Sequence, residues 1–285
     1  MKFMNNEINL EQLKKIELDL LKSVHEICVR ENFRYSLGGG TLLGAVRHKG
    51  FIPWDDDIDI MMPRPDYNAF IDYCITHDDV PFSVQCYKTD KEYVDLSAKI
   101  YNPNTVLEEE CATDKEQKTG VFIDVFVIDG LGDTYKRAKK AFRATSFKRE
   151  LLVAAQWKKF FRSKTRAWYY EPIRFLFYIM SRFVNKSKLF EAIQKKYERI
   201  NFNAVNYAAA VGGSYREKEI LPQKVFSNLT ELQFEGYGFK AIEAYDEYLS
   251  SIYGDYMRLP PEEKRVSHHL FKAYYKDGVE GGVNE

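Results

Sequence analysis

An acidic run after Trp54 carries the side chains best suited to chemistry. From Asp57 onward polar and apolar residues alternate, which predicts a strand over residues 57–62. Side chains two residues apart on a strand share a face, so Asp57 and Asp59 are expected about 6 to 7 Å apart. Carboxylate oxygens at that spacing suit one or two divalent cations such as Mg²⁺ or Mn²⁺. Asp55 joins the predicted metal site if the strand begins early.

A third acid lies in a separate apolar segment. Residues 121–128 are typical of a buried strand, interrupted by Asp124. A buried carboxylate is costly unless it meets a cation or hydrogen-bond donors, so Asp124 is predicted to have such a partner. Together the acids suit phosphoryl transfer, in which catalysis depends on positioning and on charge stabilisation by a bound cation.

A glycine-rich turn precedes the acids by about twenty residues. Gly38, Gly39 and Gly40 end a short strand candidate, and Thr41 opens a short helix predicted over residues 41–46. Backbone amides at such a turn can approach a phosphate closely, and a helix N-terminus favours an anion. Taken alone, the glycines are explained better by a flexible turn, so the phosphate interpretation depends on the acids that follow.

The elements that position these residues indicate an α+β fold. Residues 9–30 have helical spacing with a capping box formed by Asn9 and Gln12, and short strands follow. Later segments predict a strand over 232–239 and a helix over 241–253. We expect a catalytic core over 1–132, a helical lobe over 133–205, and a C-terminal part over 206–285 that completes the active site.

The helical lobe is basic and aromatic. Between residues 136 and 168 many Lys and Arg residues alternate with Phe and Trp, and one acid, Glu150, opposes them. This composition suits peripheral contact with an anionic membrane surface, although an ordinary solvated helical face explains it equally well. Nucleic-acid binding is disfavoured because no recognised RNA or DNA motif accompanies the basic residues.

Composition limits the classes of protein that this chain can represent. The 285 residues carry no net charge, and nearly half are apolar, enough for a sizeable core. No apolar run is long enough to span a bilayer, the N-terminus has no secretory signal, and the four cysteines are widely spaced. We expect reduced thiols and a cytoplasmic protein, with contact at the inner face of the cell membrane as a further hypothesis.

The segment from Gly39 to Asp59 resembles the signature of the LicD family, and a tail segment, Tyr253 to Arg265, is similar to that family's C-terminal pattern. The resemblance implies a nucleotidyltransferase-like mixed sheet core. It also implies transfer of a phospho-alcohol, typically phosphocholine from CDP-choline, to a sugar hydroxyl of a cell-surface glycan such as teichoic acid or lipopolysaccharide. Fukutin-related enzymes, which transfer ribitol phosphate, share the signature.

The resemblance also implies roles for individual acids and glycines. Asp57 and Asp59 would hold the metal that bridges the donor diphosphate, with Asp55 as an auxiliary ligand. Asp124 would complete the metal site or accept the proton of the attacking hydroxyl. Asp129 competes for that role, but its place before Gly130 suggests a turn. The donor phosphate would contact three residues: Gly39, Gly40 and Thr41.

Several further residues are candidates for binding the donor or the acceptor. Arg47, His48 and Lys49 could neutralise the diphosphate or be solvated loop charges. Trp54 is a candidate wall for the choline ammonium, since aromatic faces bind such cations, or it is part of the core. His268 and His269 could touch substrate or lie at the surface.

Two other functions fit the same residues. A nucleotidyltransferase would attack the α-phosphorus of a nucleoside triphosphate and release pyrophosphate while modifying a small molecule. A noncatalytic glycan-binding protein that kept the fold is disfavoured because all the acids are present. Transfer of a phospho-alcohol from a CDP-alcohol releases CMP, whereas nucleotidyl transfer releases pyrophosphate. The leaving group therefore distinguishes the two enzyme classes.

Overall fold

The fold is that of a computed structural model, in which the described residues are 6–109, 119–157, 159–163, 167–265 and 271–276. The helices are α1 Leu10–Arg30, α2 Gly39–Arg47, α3 Arg64–Thr76, α4 Tyr135–Arg143, α5 Ser146–Ala155, α6 Glu171–Ser181, α7 Lys186–Glu198 and α8 Tyr245–Tyr253. The strands are β1 Glu7–Ile8, β2 Ser36–Leu37, β3 Asp59–Pro63, β4 Ser83–Gln85, β5 Ala98–Tyr101, β6 Thr105–Glu109, β7 Phe122–Gly132, β8 Tyr207–Ala210, β9 Leu221–Pro222, β10 Leu229–Phe234, β11 Tyr237–Ile242 and β12 Phe271–Tyr275.

A mixed sheet forms the centre of the fold. Its order is β2-β3-β7-β5-β4, and β8 pairs with the far half of β7 and with β9. The β3–β7 pair is parallel and the other pairs are antiparallel. β7 is long enough to join two sets of partners, because its first half pairs with β3 and β5 and its second half with β8. The predicted α+β class with a mixed sheet and added helices is confirmed.

Helix α1 covers the sheet with the apolar stripe that its sequence predicts. Its buried residues include Leu13, Leu20 and Val24, and it packs against β7. The predicted capping box is also confirmed, since the Asn9 side chain accepts from the backbone N–H of Gln12 and the Gln12 side chain accepts from that of Asn9.

The strand predicted over 57–62 begins two residues later, at Asp59. A turn precedes it, in which the backbone N–H of Asp55 donates to the Ile52 carbonyl, and the chain stays irregular through Ile58. Parallel pairing with β7 starts at Asp59, opposite Asp124. Asp57 therefore lies in a loop at the strand entrance rather than on the strand.

The single strand predicted over 232–239 is wrong. The structure has a hairpin there, with β10 and β11 joined by Glu235 and Gly236. Both joining residues have positive φ, 50° and 80°, as a two-residue turn matched to strand twist requires. The alternation of apolar and polar residues runs through the turn and conceals it. The helix predicted over 241–253 is shorter in the structure. It begins at Tyr245 because β11 continues to Ile242.

The helical segment has its own group of buried residues. Phe142 of α4, Leu152 of α5, Ile193 and Tyr197 of α7, and Ala209 of β8 are members of one cluster. The chain after residue 206 returns to the central sheet through β8 and β9, and β12 pairs with both β1 and β6. The proposed boundaries at 132/133 and 205/206 stay predictions.

Two further sequence expectations concern the whole chain. Cys28, Cys74 and Cys86 are buried free thiols, as expected, and Cys111 lies outside the described residues. Within the described ranges, no helix combines the length and the apolar character needed to cross a membrane.

Candidate active site

The glycine turn leaves room for two carboxylates. α2 begins at Gly39, which has φ of +45°, and a Cβ built there would lie 2.9 Å from Oδ2 of Asp59. A Cβ on Gly40 would lie 2.6 Å from Oδ2 of Asp55. A side chain at either position would displace one of these carboxylates, and the positive φ of Gly39 further favours glycine there.

A row of charged residues crosses three neighbouring strands. Asp59 of β3, Asp124 of β7 and Lys99 of β5 occupy paired positions in the sheet. Nζ of Lys99 lies 3.8 Å from Oδ2 of Asp124, and the Ser97 hydroxyl lies 3.5 Å from Oδ1 of Asp124. Asp124 thus has a cation and a hydroxyl beside it, and its apolar flanks predicted one or the other, although its side chain is 22% exposed rather than fully buried.

Asp59 is held in place from the helix. The backbone N–H of Asp59 donates to Oγ1 of Thr41 at 2.8 Å, and the backbone N–H of Gly38 donates to the Asp59 carbonyl at 2.9 Å. Thr41 is buried and does not line the cleft described below. Its hydroxyl fixes the backbone of Asp59, a contact that the sequence analysis did not anticipate.

The acids crowd one another at the entrance of β3. Burial, then the charge of Asp55 and a hydrogen bond with its side chain, raises the pKa of Asp57 to about 8. Burial, followed by the charges of Asp57 and Asp124, raises the pKa of Asp59 well above its usual value. In the described part of the chain no three carboxylate, imidazole or thiol groups already converge as a metal-binding cluster. A bound cation would relieve the repulsion between these carboxylates.

A fifth carboxyl group approaches the acids from α1. Glu17 is buried, and its Oε2 has no hydrogen-bond partner among the described residues. Burial, then the charges of Asp57, Asp56 and Asp59, raises its pKa well above the usual value. The sequence contains a signal for it, since Glu17 falls on the apolar stripe of α1 between Leu13 and Leu20, where a carboxyl group is out of place.

Asp55, Asp57 and Asp59 line a cleft of about 900 Å³, which Asp124 and Glu17 do not reach. One wall consists of Gly39, Gly40, Asp55, Asp57 and Asp59. The C-terminal part of the chain lines the same cleft with Tyr215, Tyr253, Tyr256, Arg258 and Arg265. The structure thus brings the tail segment of residues 253–265 to the acidic segment, two regions about two hundred residues apart in the sequence.

Of the three predicted cations, Arg47 lines the cleft, whereas His48 and Lys49 do not. Nη1 of Arg47 donates to the Tyr256 carbonyl at 2.7 Å, and its Nε donates to Nε2 of His48 at 2.9 Å. Burial, then the neighbouring Arg47 charge, lowers the pKa of His48. The imidazole therefore supports Arg47 as a neutral acceptor, and Lys49 is exposed.

Aromatic rings and a guanidinium surround part of the cleft. Trp54 lines it and is half-buried, and the Arg265 guanidinium carbon lies 5.7 Å from the centroid of the Trp54 ring. The rings of Tyr215 and Tyr253 lie 5.0 Å apart, edge to face. Trp54 therefore packs against the core and also lines the cleft, and its contact with choline stays a prediction. His268 and His269 lie outside the described residues.

A second cleft, of about 640 Å³, adjoins the first. The two share Ser214 and Tyr215, and the second is also lined by polar residues that include Asp95, Arg149 and Glu150. Nη1 of Arg149 donates to the Val211 carbonyl at 2.5 Å, which attaches α5 to the loop between β8 and β9.

The expectation that Asp129 lies in a turn is wrong. Asp129 is buried inside β7, where its two carboxylate oxygens accept from Nε and Nη2 of Arg64 at 2.7 and 2.8 Å. It is an odd number of residues from Asp124, so the two side chains point to opposite faces of the sheet. Its environment is a buried ion pair rather than the acidic cleft.

Comparison with known proteins agrees with this architecture. A family model described as "LicD/FKTN/FKRP, nucleotidyltransferase domain" matches residues 32–152, which contain the glycine turn and the acids. The chain is also 31% identical over 281 residues to the lipopolysaccharide cholinephosphotransferase LicD of Haemophilus influenzae, a match that covers 94% of this chain and 98% of that protein. The chain belongs to the LicD family. It is accordingly a LicD-type transferase.

Shorter matches connect the chain with segments of two uncharacterized proteins. A protein of Rickettsia prowazekii is 43% identical over 65 residues, 20% of this chain and 24% of its own length. A protein of Rickettsia typhi is 51% identical over 47 residues, 16% of this chain and 15% of its own length. The Haemophilus match, in contrast, extends along nearly the whole length of both chains.

Proposed function

We propose that this LicD-family chain transfers phosphocholine from CDP-choline to a sugar hydroxyl of a cell-surface glycan, lipopolysaccharide or teichoic acid, and releases CMP. The observation that carries the proposal is the cleft itself, which is lined by crowded carboxylates together with tyrosines and arginines. The similarity to a lipopolysaccharide cholinephosphotransferase along nearly the whole chain supports the same reaction class.

The carboxylates fit a divalent cation. Asp57 and Asp59, with Asp55 and Asp124 beside them, offer only hard oxygen ligands, the type that Mg²⁺ and Mn²⁺ prefer. Their mutual repulsion, seen in the raised pKa values of Asp57 and Asp59, favours binding of a cation in place of a proton. When bound, such an ion would neutralise charge on the donor diphosphate.

Different residues of the cleft suit the diphosphate and the choline of the CDP-choline donor. The backbone amides at the start of α2, at Gly39 and Gly40, and the guanidinium of Arg47 suit the diphosphate. Trp54 and the Tyr215–Tyr253 pair suit the quaternary ammonium of choline, because aromatic faces attract such cations by about 0.5 to 2 kcal/mol per contact.

The proposed transfer forms one bond to phosphorus, breaks another and moves one proton. The acceptor hydroxyl oxygen forms a bond to the phosphorus that carries choline, and the bond from that phosphorus to the bridging oxygen breaks as CMP leaves. The hydroxyl proton passes to a carboxylate, and Asp124, beside Asp59 and paired with Lys99, is the proposed acceptor unless it completes the metal site. The second cleft, which meets the first at Ser214 and Tyr215, offers a polar route for the glycan.

The deciding experiment identifies the nucleotide that is released. Purified protein is incubated with Mg²⁺, a lipopolysaccharide or teichoic acid acceptor, and either CDP-alcohols or nucleoside triphosphates. We expect CMP from CDP-choline, and a loss of about a hundredfold or more in turnover for Asp57→Asn. Asp78→Asn, at an exposed position after α3, is the matched control and should keep full turnover.

Each alternative gives a different result. Release of pyrophosphate from a nucleoside triphosphate would assign the chain to the nucleotidylating class. CMP release from another CDP-alcohol, with no reaction of CDP-choline, would replace the donor. Unchanged turnover in Asp57→Asn would remove Asp57 from the reaction.

A further inference from the structure

Helix α6 and the turn before it expose an unusual number of large apolar side chains. Trp168 is 83% exposed and Phe183 is 86% exposed, at the two ends of the segment. Between them lie further exposed members of the same surface: Tyr169, Tyr170, Ile173, Phe175, Leu176 and Ile179. We call this set the α6 surface. Contiguous exposed apolar groups of this size mark a surface that contacts a partner or a membrane.

The apolar side chains lie on one face of α6. Arg174 and Ser181 on the opposite face are buried, and α6 packs against α5. Nη2 of Arg182 donates to the Ala154 carbonyl of α5 at 2.9 Å, and the rings of Phe147 and Phe177 lie 5.3 Å apart. The α6 surface is therefore the outer side of a helix whose inner side is already occupied.

Buried Arg174 makes several contacts on the inner side of α6, beneath the α6 surface. The buried guanidinium of Arg174 lies 4.9 Å from the ring centroid of Trp157 and 5.1 Å from that of Phe161. Its Nη1 donates to the Phe161 carbonyl at 3.0 Å and to Oε2 of Glu171 at 2.8 Å. These contacts attach the described residues around Trp157 and Phe161 to the inner side of α6.

In the sequence, the segment that carries the α6 surface has a strong excess of cations over acids. Residues 157–188 contain nine Lys and Arg residues and a single acid, Glu171. That acid is paired with Arg174 at 2.8 Å and is largely buried, so it does not offset the exposed cations. Arg162 and Arg182 are exposed beside the apolar groups. Two copies of this surface would repel each other, whereas an anionic surface would attract it.

We propose that the α6 surface docks the enzyme on an anionic lipid bilayer, with α6 lying in the plane of the interface. At 1.5 Å per residue, its 11 residues are about 16 Å long, roughly half the thickness of the hydrocarbon core. Aromatic and aliphatic groups on one face with cations around them are the composition of an interfacial helix. The inference is independent of the proposed function, since it requires neither donor nor metal.

The α6 surface lies almost entirely after the basic segment 136–168 that the sequence predicted for membrane contact, and the two share Trp168. In that earlier segment Phe142 is buried in the helical core, and Lys139 and Arg143 pair with Glu217. Lys158 and residues 164–166 lie outside the described residues. The apolar groups available to a bilayer are therefore concentrated after residue 167, and contact through residues 136–168 stays a prediction.

The test is vesicle cosedimentation of the full chain. The probes are vesicles of phosphatidylcholine alone and of phosphatidylcholine with an equal amount of phosphatidylglycerol. We expect binding to the anionic vesicles, at least about tenfold weaker binding to phosphatidylcholine alone, and weakening by salt. Leu176→Gln with Ile179→Gln should lower the partition coefficient on anionic vesicles by about tenfold or more.

The control matches that pair in exposure and element type. Leu176 and Ile179 are 56% and 41% exposed on α6, and Val29 and Ile75 are 55% and 43% exposed on α1 and α3. Val29→Gln with Ile75→Gln should leave vesicle binding unchanged. A second variant, Trp168→Gln with Phe183→Gln, repeats the test at the ends of the surface, and circular dichroism checks the fold of each protein.

Three results would overturn the proposal. The wild-type protein could fail to sediment with either vesicle. The control pair could weaken binding as much as the two α6-surface variants. The α6-surface variants could convert a dimer into a monomer in analytical ultracentrifugation without changing vesicle binding, which would make the surface a contact between copies of the chain.

Discussion

At the residue scale, Glu219 shows how burial changes a carboxyl group. It is buried beneath the loop that carries Tyr215 and accepts the Tyr215 backbone N–H at 2.9 Å, while its carboxylate lies against Gly213. Burial raises its pKa from 4.5 to about 7, and the Tyr215 hydrogen bond opposes the shift. Glu219 is therefore protonated in the folded chain at a pH where it is ionised in the unfolded chain.

This shift predicts a pH dependence of stability with a definite sign. The folded chain binds the extra proton between pH 4.5 and about 7, so the free energy of unfolding falls as pH rises through that window. At about 1.4 kcal/mol per pH unit, the loss is roughly 3 kcal/mol. Glu219→Gln should remove it, as measured by urea unfolding across the window.

The control for this prediction is Glu247→Gln, at an exposed position on α8. It should keep the wild-type pH dependence. A Glu219→Gln variant whose unfolding free energy follows the wild-type curve across the window would show that Glu219 is not protonated in the folded chain.

At the element scale, the sheet converts separate sequence segments into one charged site. Parallel pairing of β3 with β7 puts Asp59 next to Asp124, and antiparallel pairing of β5 with β7 adds Lys99. The other end of β7 is held by the buried pair of Asp129 with Arg64, the first residue of α3. One long strand thus supports both the site and the packing of α3.

Breaking the buried pair of Arg64 with Asp129 should destabilise the folded chain, because this pair attaches α3 to β7. Arg64→Met leaves Asp129 charged and buried, so we expect a loss of about 3 to 5 kcal/mol in the free energy of unfolding. Lys88→Met removes a surface pair with Asp72 and should cost less than about 1 kcal/mol. Urea unfolding of the two variants measures the difference, and equal losses would contradict the buried-pair argument.

At the scale of the whole molecule, the two ends of the chain share one core. Leu21 and Val24 of α1 belong to the same buried cluster as Phe239 and Ala241 of β11 and Leu249 of α8. The cleft repeats this arrangement, since the crowded carboxylates that line it precede residue 60 and the tyrosines that line it follow residue 210. Both the core and the cleft therefore require the C-terminal part.

A shortened chain tests this dependence. A chain that ends after residue 205 lacks β8 to β12 and α8, so it exposes much of the shared core. We expect it to show no cooperative urea transition by circular dichroism, whereas a chain that ends after residue 276 should unfold cooperatively. A cooperative transition in the shorter chain would instead show that the preceding segments fold without the C-terminal part.

The sequence by itself determined features that depend on neighbours in the chain. The α1 stripe with its capping box, the glycine turn before α2 and the acids after Trp54 all follow from local spacing. The long run from Gly39 to Asp59 also identified the family, because its residues stand in one continuous segment.

Only the tertiary structure decided which distant groups meet. Periodicity carries no information about strand pairing, so it could not place Lys99 opposite Asp124 or separate Asp129 from the cleft. It also could not select Tyr215 and Tyr253 from twenty tyrosines, or distinguish the exposed α6 surface from buried Phe142, because both are apolar and at helical spacing. Burial and pairing are properties of the packed chain.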